Sequence, residues 1–177
     1  FFHESALAGD GRLDAFFTEE YALNYLIHTY PKPYIAFMDG IVMGGGMGIC
    51  QGASMRIVTE RSRLAMPETG IGLFPDVGGG YFLSRCPGHL GEYLGMTGRV
   101  LSGGEAMAAG LADAQMESGR LAGLWESLGR TPYESGEAVE RWCQNHFQKN
   151  LERANLPLED INRAFSLNNV PAILTAL

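Results

Sequence analysis

Apolar residues follow two different periods along the chain. Between Leu13 and Thr29 they recur at helical spacing, which predicts a helix. The run from Pro33 to Met38 is short, apolar and ended by Asp39-Gly40, as is typical of a strand buried on both faces. Two further strands are predicted at Met55–Thr59 and Arg63–Met66.

A glycine-rich segment, Gly44–Gly48, separates the first two predicted strands, and a short helix is predicted after it at Ile49–Ser54. The order strand, glycine turn, short helix, strand indicates an α/β fold. After Gly80 the pattern becomes helical. Helices are predicted at Tyr81–Arg85, Leu90–Met96, Arg120–Leu128, Glu137–Phe147, Pro157–Phe165 and Val170–Leu177.

Short sequence motifs mark where helices begin and end in the second half of the chain. Ser102 and Glu105 have the spacing of a capping box at a helix start, and Gly110 stands where a left-handed residue would end that helix. Gly129–Gly136 is predicted to be a connector. The pattern therefore predicts an α/β core over residues 1–115 and a helical extension over residues 116–177.

Composition narrows the class of protein. The 177 residues carry a net charge of −7 with a pI near 5.0, which disfavours nucleic acid as the main partner. Three scattered cysteines predict a reducing compartment, and no stretch has the length of a membrane span. The chain does not begin with Met and is interpreted as an interior segment of a longer protein.

Gly44–Gly48 is the first candidate for chemistry. Consecutive glycines after a strand let a ligand approach the backbone, and amides at a helix start suit a phosphate or a developing oxyanion. A packing turn explains the glycines equally well. A P-loop is excluded by the missing Lys-Ser/Thr, and a dinucleotide site is poorly supported because no clean GxGxxG is present.

The second candidate is the loop that contains Glu68 and Asp76. The two carboxylates lie eight residues apart among apolar side chains, where burial should raise a carboxyl pKa toward neutral pH. The alternative is that both acids cap turns or helices. Glu20 lies on the apolar face of the first predicted helix, and its spacing favours a solvated position over a polar pocket. The four histidines lack metal-ligand spacing, and no GxSxG motif is present.

These residues resemble the crotonase (enoyl-CoA hydratase/isomerase) superfamily. The resemblance rests on Lys32–Ala36, Gly40, Gly44–Gly46, Pro67-Glu68 and the segments Leu94–Gly98 and Ala106–Asp113. The segments Ala65–Thr69, Gly72–Leu83, Phe17–Tyr21 and Asp160–Ser166 are similar to the 3-hydroxyisobutyryl-CoA hydrolase branch. The resemblance implies a ββα spiral core followed by a helical C-terminal region.

The resemblance also implies roles for individual residues. Gly45 would donate a backbone N–H to the thioester carbonyl, Glu68 would be the nucleophile or the base for water, and Asp76 would be the second acid. Glu20 would line the acyl pocket, contrary to the expectation from spacing. Three further residues are implied in substrate binding: Gly44, Gly46 and Phe74.

The implied reaction is hydrolysis of a short hydroxyacyl-CoA, most closely 3-hydroxyisobutyryl-CoA in valine breakdown. It would need no separate cofactor and no metal, since coenzyme A belongs to the substrate. The partner would be the acyl-CoA, with no nucleic acid or membrane and with homo-oligomers possible in this superfamily. The location would be a bacterial cytoplasm or a mitochondrial matrix. The second oxyanion amide and the hydrolases' C-terminal part are expected outside this chain.

Three alternatives remain at this stage. A hydratase would need a second glutamate at the position of Gly48, and a dienoyl-CoA-type isomerase would use paired acids at the spacing of Glu68 and Asp76. A non-catalytic acyl-CoA binder is the third alternative. It would have no use for two desolvated carboxylates.

Overall fold

Two small sheets form the framework. The computed structural model describes residues 2–147, 154 and 156–177. Within that part of the chain the strands are β1 (Ile35–Met38), β2 (Ile41–Met43), β3 (Met55–Val58), β4 (Arg63–Ala65), β5 (Leu101–Ser102) and β6 (Ala114–Gln115). One sheet has the order β1-β3-β6 and is parallel throughout. The other has the order β2-β4-β5, in which β4 and β5 are antiparallel.

Successive strands alternate between the two sheets. β1 belongs to the β1-β3-β6 sheet and β2 to the β2-β4-β5 sheet; after helix α3, β3 and β4 follow in the same order. β1 pairs in register with β3, and β2 pairs with β4, so that Met43 lies opposite Ala65. This β-β-α spiral agrees with the predicted fold class. It also brings the segments that follow β2 and β4 side by side.

Helices surround the sheets. In chain order they are α1 (Phe2–Ala8), α2 (Arg12–His28), α3 (Gly45–Gln51), α4 (Gly79–Leu83), α5 (Leu90–Thr97), α6 (Gly103–Ala108), α7 (Leu121–Arg130), α8 (Gly136–His146), α9 (Leu158–Phe165) and α10 (Val170–Ala176). Short 3₁₀ turns occur at Glu68–Ile71 and Ser118–Arg120. Within the described residues, no helix has the length and apolar character that a membrane span requires.

The capping box predicted at the start of α6 is confirmed. The Glu105 amide donates to Ser102 Oγ at 3.3 Å, while Glu105 Oε2 accepts from the Ser102 amide at 2.8 Å. Gly110 is left-handed with φ 74°, as predicted. Local hydrogen bonding therefore fixes both ends of this segment.

Two apolar clusters hold the elements together. The larger one joins the β2-β4-β5 sheet to α3–α6 and to α9 and α10 through buried side chains such as Leu64, Leu90 and Phe165. The smaller one covers the β1-β3-β6 sheet with α7 and α8 and centres on Ile57 and Cys143. The residues described after position 116 are thus mainly helical, with 148–153 and 155 outside the described part. The predicted boundary at residue 115 stays a prediction.

Several element bounds differ from the sequence-based expectations. The helix predicted at Ile49–Ser54 begins at Gly45 and ends at Gln51, so Gly45, Gly46 and Gly48 lie inside it and only Gly44 precedes it. The strands β2, β5 and β6 were not predicted, because two or three residues carry no readable period. The predicted helix at Tyr81–Arg85 begins at Gly79 and ends at Leu83, and α7 extends into the predicted connector as far as Arg130.

Candidate active site

The glycine turn lies between β2 and α3. Gly44 has φ 52° and ψ −120°, a conformation that side chains disfavour, and its amide donates to the Ala65 carbonyl at 3.2 Å. The helix begins at Gly45, so the amides of Gly45 and Gly46 have no acceptor within the helix. A methyl group on Gly46 would make ordinary contact with Val42 at 3.8 Å, so space alone does not require glycine there.

Glu68 lies directly against this turn. It follows β4 by three residues, and the β2–β4 pairing carries it to Gly44, where a Cβ atom would lie 2.8 Å from Glu68 Oε1. The residue is 7% exposed, and Oε2 is buried with no hydrogen-bond partner among the described residues. Burial raises the Glu68 pKa, and the negative charge of Asp76 raises it further.

Asp76 is half-buried and is held by a tyrosine from α2. The Tyr21 hydroxyl donates to Asp76 Oδ2 at 2.7 Å, and this bond is the main reason why the Tyr21 pKa is raised to about 12. Tyr21 therefore remains a donor throughout the neutral and mildly alkaline range. Phe74, expected to bind substrate, is 71% exposed at the rim of the open cavity that Tyr21 and Asp76 line.

Val77, the residue after Asp76, has an unusual backbone. Its φ of 42° is positive, which among the described residues other than glycine occurs here alone. A β-branched side chain in this region is strained. The side chain is buried and lies against Gly48, where a Cβ atom would meet Val77 Cβ at 2.5 Å. A side chain at position 48 would overlap the Val77 side chain in its present position.

Glu20 reaches the same turn from α2. Its carboxylate is half-buried, and Oε1 would lie 2.7 Å from a Cβ atom on Gly45. Burial is the first cause of its raised pKa, and the charge of Asp76 is the second. The solvated position that spacing favours is therefore wrong, because helical spacing cannot reveal that α3 offers glycines where α2 crosses it.

Glycines on α3 allow α2 to approach closely. Gly45, Gly48 and Gly52 are separated by three and four residues, which places them on one face of the helix and its C-terminal cap. Opposite them on α2 lie Glu20, Asn24 and Ile27, which share one face in the same way. The sequence signal that could have predicted this contact is the helical spacing of the three glycines on α3 together with the similar spacing of the three residues on α2.

Two cavities lie on either side of Val77 and Gly78. The open one, of about 330 Å³, is bordered by Tyr21, Phe74 and Asp76. The other, of about 240 Å³, lies between α2, α3 and α4, and its polar lining includes Asn24 and Gln51. Val77 and Gly78 line both cavities. Sequence reasoning gave no site role to Tyr21, Asn24 or Val77, although Val77 and Tyr21 stand in segments that it had singled out.

Three carboxylates thus lie around the glycine turn: Glu20, Glu68 and Asp76. Burial first, and the negative charge of Asp76 as a further cause, raise the pKa of both Glu20 and Glu68, a setting that suits acid–base or nucleophilic chemistry. In the described ranges, no group of three His, Cys, Asp or Glu side chains is arranged to hold a metal ion. The three cysteines are free, and burial raises the pKa of Cys50 to about 11, so its thiol is not activated.

Comparison with known proteins agrees with this fold. The profile of the family described as enoyl-CoA hydratase/isomerase matches residues 1–177. The chain belongs to the enoyl-CoA hydratase/isomerase family, which confirms the predicted crotonase resemblance.

Within this family the sequence is similar to named hydrolases. It is 43% identical to the mitochondrial 3-hydroxyisobutyryl-CoA hydrolase of Xenopus tropicalis, over 98% of this chain and 47% of that protein. It is 44% identical to 3-hydroxyisobutyryl-CoA hydrolase 1 of Arabidopsis thaliana, over 96% of this chain and 46% of that protein. The predicted branch is therefore confirmed at the level of sequence similarity. The chain spans about half the length of the curated relatives it matches.

Solved structures share the fold. A carnitinyl-CoA dehydratase from Mycobacterium thermoresistibile superposes with a TM-score of 0.84 and 37% identity, covering 98% of this chain and 49% of that one. An enoyl-CoA hydratase from Rhodobacter sphaeroides has a TM-score of 0.78 and 32% identity, with coverages of 98% and 52%. The fold class predicted from the sequence is confirmed.

Proposed function

We propose that the protein containing this chain hydrolyses a short hydroxyacyl-CoA thioester, namely 3-hydroxyisobutyryl-CoA, to 3-hydroxyisobutyrate and CoA, as a step of valine breakdown. The observation that carries the proposal is the buried Glu68 carboxylate, with one unpartnered oxygen, beside the glycine turn. The named hydrolase relatives, identical at more than two positions in five, supply the substrate class.

Each residue has a role in this proposal. The Gly45 amide donates to the thioester carbonyl oxygen as negative charge develops there, and Gly44 and Gly46 leave the approach to it open. Glu68 either attacks the carbonyl carbon, giving a mixed anhydride and the CoA thiolate, or removes a proton from the attacking water. Water then supplies the second oxygen of the product acid. One lost oxyanion donor would lower the rate by about 10²–10³-fold.

The other acids serve the same chemistry. Asp76 accepts a hydrogen bond from Tyr21. In the proposed reaction it transfers a proton to the leaving thiolate or binds the hydroxyl of the acyl group. Glu20 borders the acyl pocket beside Gly45, and Phe74 contributes its rim. Burial raises the Glu68 pKa, which moves this carboxyl toward the range in which general acid–base catalysis is efficient. No cofactor is needed, since coenzyme A enters with the substrate.

Hydration is the second candidate, because the two solved structures named above are a dehydratase and a hydratase. A hydratase would place a second glutamate at position 48. Here that position is glycine, and the Val77 side chain occupies the space. Double-bond migration and acyl-CoA binding without turnover remain outcomes for the test. For a eukaryotic protein we propose the mitochondrial matrix, and for a bacterial one the cytoplasm. The name of the Xenopus relative supports a mitochondrial location.

The test measures thiol release by the full-length natural protein that contains these residues. Thiol release from 3-hydroxyisobutyryl-CoA is compared with that from crotonyl-CoA, and hydration of the latter is followed in parallel. Glu68→Gln should reduce thiol release by about 10³-fold or more, since it removes both the nucleophile and the base. Glu126→Gln, at an exposed position on α7, is the matched control and should leave the rate unchanged. Hydration of crotonyl-CoA without thiol release would overturn the proposal.

A further inference from the structure

Asn24 is the most unusual polar side chain in the cavity between α2, α3 and α4. Both ends of its carboxamide, Oδ1 and Nδ2, are buried and have no hydrogen-bond partner within the described residues. It lies inside a 17-residue helix, where asparagine is a poor helix former. A buried carboxamide without partners destabilises a fold, so an apolar residue here would favour folding.

Gln51, the other carboxamide in this cavity, has a structural role. Gln51 lines the same cavity, but its Nε2 donates to the Leu111 carbonyl at 2.9 Å and its Oε1 accepts from Arg56 at 2.7 Å. Both ends of the Gln51 carboxamide are therefore bonded within the fold. Neither end of the Asn24 carboxamide is, so both could bind a ligand.

Asn24 lies about one helical turn along α3 from the glycine proposed to bind the thioester carbonyl. Along α3, Glu20 lies against Gly45, and Asn24 lies against Gly48, where a Cβ atom would be 3.1 Å from its Oδ1. Three residues of helix correspond to about 4.5 Å along the axis. A 3-hydroxyl oxygen lies three bonds from the thioester carbonyl carbon, roughly 3.7 Å away in an extended acyl chain. If the acyl chain runs along α3 from a carbonyl bound at Gly45, the hydroxyl comes within about 1 Å of the level of Asn24.

Gly48 allows this carboxamide to lie against α3. A Cβ atom at position 48 would be 3.1 Å from Asn24 Oδ1, and the strained Val77 side chain lies on the other side of the same position. Val77 also borders the cavity that contains Asp76, so the two cavities share this wall. The glycine at position 48 therefore takes the place of a second glutamate and also leaves Asn24 in the wall of the cavity between α2, α3 and α4.

We infer that Asn24 is a substrate-binding residue that selects acyl groups bearing a 3-hydroxyl. A hydroxyl both donates and accepts, so either end of the carboxamide can bind it. An acyl group without the hydroxyl would leave the buried carboxamide unpartnered and would bind less well, which is how a polar pocket discriminates. This inference rests on the proposed function for its substrate class.

The test uses binding as well as turnover. Two non-hydrolysable thioether analogues of the acyl-CoA, one with the 3-hydroxyl and one without it, are titrated into the full-length protein by calorimetry. The wild type should prefer the hydroxylated analogue by about 10–100-fold. Asn24→Leu, which has nearly the same shape, should abolish this preference, bind the other analogue as tightly as before, and unfold at the same or a higher temperature. Asn145→Leu, on the exposed face of α8, is the matched control and should keep the preference.

The outcomes separate the inference from the proposed function. Thiol release by the wild type, with a preference that survives Asn24→Leu, would overturn the inference and leave the hydrolase intact. No thiol release, with a preference that disappears in Asn24→Leu, would overturn hydrolysis and support the hydroxyl site. A wild type without preference, or equal losses for both analogues in Asn24→Leu, would refute the role of Asn24.

Discussion

Replacing Gly48 with alanine tests whether Val77 determines the glycine at that position. The new methyl group would lie 2.5 Å from Val77 Cβ and 2.9 Å from Cγ2, well inside van der Waals contact. Overpacking of this kind costs about 1–3 kcal/mol. Alanine recovers about 0.5–1 kcal/mol in a helix. The net expectation is a loss of about 1–2 kcal/mol in the free energy of unfolding.

A second substitution isolates the cause. Val77→Gly removes the two Val77 atoms that the methyl group would meet and leaves only Asn24 Oδ1, at 3.1 Å, in close contact. It also relieves the left-handed strain, worth about 1–2 kcal/mol. It loses the burial of the valine side chain, about 1.5–3 kcal/mol. In the Val77→Gly background, Gly48→Ala should therefore cost little, and the double-mutant cycle should show a coupling of about 1–2 kcal/mol.

The assay is equilibrium unfolding in urea of the four proteins of this cycle, in the full-length chain. Gly123→Ala is the control, because Gly123 lies within α7 and no atom stands within 4 Å of its added methyl group. It should raise the free energy of unfolding by about 0.5–1 kcal/mol. If Gly48→Ala costs as much without the valine side chain as with it, the contact with Val77 is not what excludes side chains at position 48.

Two further predictions concern the acids. Because burial raises the Glu68 pKa, its contribution to stability is fully present below the ordinary value of 4.5 and is lost as pH rises through the raised pKa. Glu68→Gln should therefore raise the melting temperature near pH 7–8 but leave it unchanged below pH 4. Scanning calorimetry at a series of pH values measures this difference. An equal gain in melting temperature at every pH would contradict the prediction. Tyr21→Phe removes the hydrogen bond to Asp76 and should lower kcat about tenfold with little change in KM. A change confined to KM would assign Tyr21 to substrate binding instead.

The predictable part of the molecule is the part with a strong local pattern. β1, β3 and β4 are short apolar runs between turn residues, and the capping box at Ser102 depends on side chains three residues apart. Such signals need no knowledge of the tertiary structure. β2 is three residues long and follows β1 after Asp39-Gly40, so only its pairing with β4 distinguishes it from a loop.

The site was predictable only where its residues stand close in sequence to such signals. The glycine turn and Glu68 each follow a strand, and the apolar loop around Glu68 indicated its burial. The position of Glu20 depends on the crossing of α2 over glycines more than 20 residues away, which no local period encodes. The same holds for the partnerless carboxamide of Asn24 and for the left-handed Val77, since both result from packing between distant segments.

The three carboxylates around the glycine turn have a consequence for what happens after the chemical step. In the proposed reaction a neutral acyl group enters beside Glu20, Glu68 and Asp76, and a carboxylate anion is formed there. Repulsion between like charges in a partly desolvated site then favours departure of the acid, while the protein needs no movement to expel it. The free hydroxy acid should consequently be a poor inhibitor, and hydrolysis should run to completion without the product holding the enzyme back.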